Sequence, residues 1–140
     1  PPESPPMPET DTTDQASLCE LPAIGQPLMG GTFAGITTQA DGTHCAVILL
    51  ADKPTSRLGW KQAMEWAQGL GAQLPTRPVA AMLFATSRAA FERDWHWTSE
   101  VHEADGAFAW DQYFSYGGQG NLPLRYKGCA RAVRLIHLVP

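Results

Sequence analysis

The stretch Trp95-His-Trp-Thr-Ser-Glu100, continued at Ala109-Trp-Asp-Gln-Tyr-Phe114 and closed by Arg131-Ala-Val-Arg134, constrains this chain most. Three of its five tryptophans fall within about forty residues, beside a glycine-rich turn and a last apolar strand. A segment of that composition uses its indole rings to hold a loop-heavy surface still. It suits a binding module better than a catalytic pocket.

The chain around it divides in two. The first 28 of the 140 residues hold seven of the twelve prolines, several acids and almost no large apolar residue before Leu18. Such a segment cannot bury enough apolar surface to offset its chain entropy, so residues 1–28 are expected to be an extended or disordered arm. Residues 29–140 are left as one domain of a size that folds without staples. With a net charge of −4 and its ten basic residues scattered, the chain lacks the basic stripe of a nucleic-acid partner. No apolar run approaches the length of a membrane span. No leader-like segment is visible, in a sequence that opens on Pro rather than Met.

Periodicity predicts the elements. Gly30–Thr38 reads as a strand, and Asp41-Gly42 as a hairpin turn. His44–Leu50 reads as a strand buried on both faces, being continuously apolar after His44. Trp60, Ala63, Met64 and Ala67 form one helical stripe, ended by Gly69 or Gly71. A second helix starts with Thr76 as N-cap and Pro78 in its first turn, and buries Val79, Met82, Leu83 and Phe84. Ser87–Arg93 reads as a short helical turn carrying Phe91. Strands are predicted at 95–99, 107–116 and 130–138. Helices segregated from antiparallel strands make the fold class α+β.

Taken together, Trp60 with Ala63 and Ala67, Leu74-Pro75-Thr76-Arg77, Trp97-Thr98-Ser99, Ala109-Trp110, Phe114, Gly117 and Arg131-Ala-Val-Arg134 resemble the Lcl-type domain of unknown function. That domain is common in bacterial and phage proteins. The resemblance covers residues 30–138. It implies a C-type-lectin-like fold, with two helices packed on a small antiparallel sheet and long C-terminal loops. The family is distantly related to formylglycine-generating-enzyme and phage tropism-determinant domains, and some members are variable proteins of diversity-generating retroelements. On that pattern Trp110, Gln112, Phe114, Gly117, Gln119, Arg131, Val133 and Arg134 match the framework. Asp111, Tyr113, Ser115, Tyr116, Gly118, Gly120, Asn121, Leu122, Arg125, Tyr126 and Lys127 match the exposed, changeable positions that bind ligand. Among these only Asn121 is asparagine, which rewritten members favour, so a relative with a fixed surface is the other form. The two framework arginines, Arg131 and Arg134, are implied to hydrogen-bond loop carbonyls.

Glu100, Glu103 and Asp105 lack the proline loop of a lectin calcium site and read as a solvated acidic turn, so no metal ligand is assigned. The three cysteines fit no metal spacing. Reduced thiols are favoured over a Cys45–Cys129 bridge between core strands. Cys45 lies in the strand read as buried and Cys129 beside the last strand, and buried structural thiols are inert. Ser99 has no nucleophile elbow, and His96 reads as a surface or hydrogen-bonded residue. His44 and His137 read as residues at strand edges or ends. Tyr113, Tyr116 and Tyr126 around Gly117–Asn121, with Arg125 and Lys127 nearby, form a paratope-like mixture. The expected function is a non-enzymatic, cofactor-free display domain of phage or prophage, virion-associated or in the bacterial cytoplasm. Its partner is a protein or glycan receptor, with no nucleic acid and no membrane. An oligomerising accessory virion protein is the alternative, ahead of a cysteine-dependent enzyme.

Overall fold

The structure, a computed structural model, describes residues 15–140, so the proline-rich start up to residue 14 lies outside it. Ten regular elements follow in order: β1 (Gln15–Ser17), β2 (Pro27–Leu28), β3 (Gly31–Thr38), β4 (His44–Leu49), α1 (Trp60–Gly69), α2 (Arg77–Ser87), β5 (Trp95–Val101), β6 (Phe108–Tyr113), β7 (Gln119–Pro123) and β8 (Val133–Val139). Strands β1-β8-β4-β3-β2 form one sheet, antiparallel except for the parallel pair of β1 and β8. Strands β5-β6-β7 form a second, antiparallel sheet. The class is α+β.

β4 explains the architecture. Cys45–Leu50 are all buried, as a continuous apolar run requires of a strand covered on both sides. Ala46, Ile48 and Leu50 enter one core cluster with Ala63 and Ala67 of α1 and with Trp97. Val47 and Leu49, facing the other way, enter a second cluster with Val79 and Leu83 of α2, Phe91 and Phe114. Thus the two helices cover opposite faces, and the small sheet adds Trp97 and Ala109 to the first core.

Local signals act where expected. Thr76 caps α2 by accepting from the Val79 amide, with Pro78 in the first turn. Gly71, at φ +69°, follows the end of α1, while Gly69 stays helical. Phe91 is buried directly after a 3₁₀ turn at Arg88–Ala90.

Two expectations change. Within the expected arm of residues 1–28, Gln15–Ser17 pairs with the last strand and Pro27–Leu28 with β3. Short polar segments join a sheet when its edges supply the backbone partners that their own side chains cannot. Gln119–Pro123, read as part of a turn and loop, is a strand paired with β6. Its composition carries no strand signal, and the pairing is set by the tight turn before it. No helix among the described residues is long and apolar enough to cross a membrane.

Candidate functional site

The predicted surface is built on the β6–β7 hairpin and the loop that follows. Beneath the turn lies Gln112, wholly buried. Its Nε2 donates to the Gly117 carbonyl at 2.9 Å, and its Oε1 accepts from Gln119 Nε2 at 2.9 Å. Gln119 also exchanges hydrogen bonds with Arg77 at the start of α2, and the Arg77 guanidinium stacks on Trp110 at 3.5 Å. Gly117 has φ +90°, and a Cβ there would lie 2.6 Å from the Phe84 ring. Only glycine lets the turn backbone settle on that ring. The turn is therefore pinned from below.

Above it stand the tyrosines. Tyr116 is 69% exposed and its ring lies 5.2 Å from that of Tyr113, which is half-buried. The following loop is anchored at both ends. Trp60 N donates to Leu124 O, and Leu58 and Gly128 exchange two backbone bonds of 2.9 Å. Gly128 packs so closely on Trp95 that a Cβ would overlap the indole. Between these anchors Arg125, Tyr126 and Lys127 are exposed. Tryptophans do hold this region, since Trp97 Nε1 donates to Leu58 O at 2.8 Å and Trp60 Nε1 to Thr98 O at 2.9 Å.

Not every expected position is exposed. Ser115, Tyr116, Asn121, Arg125, Tyr126 and Lys127 are, whereas Tyr113, Gly118, Gly120 and Leu122 are half-buried, Leu122 against the core. Asp111 is wholly buried, contrary to expectation. Strand alternation puts it on the face of Tyr113, but its partner across the sheet is Trp97, so that part of the face turns inward. Its Oδ1 accepts from Gly120 N at 3.1 Å, while Oδ2 has no partner. Burial pushes its carboxyl up to about 6, only partly offset by the Gly120 bond.

The acidic turn is occupied locally. Glu100 Oε2 accepts from the Arg77 amide at the N-terminus of α2 (2.8 Å), Glu103 from Trp110 Nε1, and Asp105 from the Ala107 amide. Among the described residues no group of three or more His, Cys, Asp or Glu has a metal-holding arrangement. Arg131 and Arg134 donate to main-chain carbonyls, Arg131 to Ala90 and Leu50 and Arg134 to Met29.

One cleft gathers residues that lie far apart in the chain. A cavity of about 210 Å³ is lined by Lys53, Ser56, Arg57, Glu92, His96, Cys129 and Arg131, among others. These come from three distant segments, so no local motif announces them. His96, expected at a surface or hydrogen-bonded, bonds the Asp94 carbonyl yet is buried, with its ring edge-on to Phe91 and Phe114. Burial lowers its pKa to about 4, leaving it neutral at pH 7. Burial raises the Cys129 thiol. A protonated thiol beside a neutral imidazole is not an activated nucleophile. The three cysteines are free. Cys45 faces His137 of β8 whereas Cys129 pairs with His96, so the two are not placed to bridge.

Comparison with known families finds no family model that matches the chain, and comparison with curated proteins finds no similar sequence.

Proposed function

We propose that the protein is a non-enzymatic ligand-binding domain of C-type-lectin-like type, displaying its C-terminal loops to a protein or glycan. It is a retroelement-type variable protein or a fixed relative of one. The observation that carries this reading is Tyr116, an aromatic side chain 69% exposed on a turn whose backbone is locked by buried Gln112. Folding gains little from a ring left in water. Binding gains rigid, amphipathic contact area at small entropic cost. Tyr126, 45% exposed beside Arg125 and Lys127, extends the same chemistry along the next loop. The phage or prophage setting rests on the resemblance over residues 30–138.

The test compares the native chain with a Tyr116→Ala, Tyr126→Ala double variant on arrays of glycans and of bacterial surface proteins. Native-only capture with matching melting temperatures supports the reading. It is refuted if the native chain captures nothing, or if the variant captures equally well. Light scattering on both samples separates self-association, which would show the native chain as an oligomer and the variant as a monomer.

A further inference from the structure

The cleft beneath Lys53 does not depend on the tyrosine surface. We propose that it binds a small oxyanion, a carboxylate or a phosphate, among Lys53, Arg57 and Arg131. Arg131 is 5% exposed and touches no carboxylate among the described residues. Its two Nη atoms donate to the Ala90 and Leu50 carbonyls, and its Nε–H, shut away from solvent, has no acceptor. Carbonyl dipoles orient a guanidinium without neutralising it, and a buried cation lacking a counter-ion is costly. Asp52 attracts it through space, without contact.

Two further cations, Lys53 and Arg57, line the cleft. Lys53 is exposed and makes no hydrogen bond or ion pair among the described residues. Arg57 spends one Nη on Asp94 Oδ2 at 2.5 Å and keeps its other donors. Glu92 is the one carboxylate in the lining, against these three cations. Outside the lining, Asp94 is taken up by Arg57 and Asp52 acts on Arg131 only through space. Ser56 adds a neutral donor. A water occupies roughly 30 Å³ of liquid, so the cavity of about 210 Å³ has room for acetate, phosphate or a small diacid.

Cys129 in the wall provides a direct readout, with exposed Cys19 as internal standard. Inorganic phosphate and acetate are titrated separately at fixed ionic strength, while iodoacetamide labelling of both cysteines and the melting temperature are followed. One anion should raise the melting temperature saturably. At ten times its dissociation constant it should slow Cys129 labelling about tenfold, with Cys19 unchanged. Lys53→Gln should weaken that anion roughly tenfold by removing a charged donor, and Glu92→Gln should tighten it. Both side chains are exposed, so neither variant threatens the fold. The anion that protects tells carboxylate from phosphate. Failure of both to protect, or equal affinity in Lys53→Gln, overturns the proposal. Either result leaves the display reading to its own test.

Discussion

Two buried groups in the small sheet are shifted in opposite directions by burial, and substituting one should unmask the pH dependence of the other. Burial raises the Asp111 carboxyl from 3.8 to about 6 and lowers the His96 imidazole from 6.5 to about 4. At about 1.4 kcal/mol per unit, each shift corresponds to about 3 kcal/mol. Folded Asp111 keeps a proton that the unfolded chain loses. Its contribution to stability is full below pH 3.8 and is lost as the pH rises through about 6. Folded His96 refuses a proton that the unfolded chain takes up. Its contribution is full above pH 6.5 and is lost as the pH falls through about 4. In the native chain the two slopes nearly cancel. In Asp111→Asn the histidine alone remains, and stability should climb by about 3 kcal/mol from pH 4 to pH 6.5. His96→Phe should show the reverse, falling over the same window. Carboxylates lowered chiefly by their hydrogen bonds, Asp94 and Glu103 among them, are common to the native and Asp111→Asn chains and drop out of that difference. Urea unfolding followed by tryptophan fluorescence at half-unit pH steps reads the slopes, so a uniform loss of stability in either variant does not matter. Parallel native and Asp111→Asn curves would refute the reasoning.

Other perturbations test the scaffold. Gln112→Ala leaves the Gly117 carbonyl and Gln119 without their buried partner, and should cost about 1–3 kcal/mol. Amide exchange across the turn should quicken with it, and unchanged exchange would count against the pinning. Gly128→Ala forces a methyl into the Trp95 ring and should cost about 1–3 kcal/mol in chemical denaturation. Thr76→Ala removes the cap on α2, at about 1 kcal/mol in the same assay. Leu83→Ala, deleting a wholly buried side chain under α2, should cost about 2–5 kcal/mol and lower the thermal midpoint.

Legibility followed the range of the forces involved. The apolar run of β4, the Asp41-Gly42 turn, the Thr76 cap and the Gly71 stop are local, set by a few neighbouring residues. All four stand where the sequence puts them. The arginine bonds to carbonyls agree with what the resemblance implied.

The site was half legible. Alternation along β6 correctly grouped Asp111 with Tyr113, but no pattern within one strand says which face another element will cover. Trp97, fourteen residues earlier, sits opposite Asp111 and took that carboxylate out of water. The same holds for the cleft, which joins residues 53–57, 92–96 and 129–131, and for residues 15–28, which complete a sheet whose last strand begins at Val133. Caps, turns and apolar runs are specified by contacts between near neighbours, so the sequence alone determined those, whereas β1, β2 and β7 became strands only through their partners in the sheets. Burial, charge state and the gathering of distant side chains depend on which surfaces meet, and only the packed tertiary structure decided those.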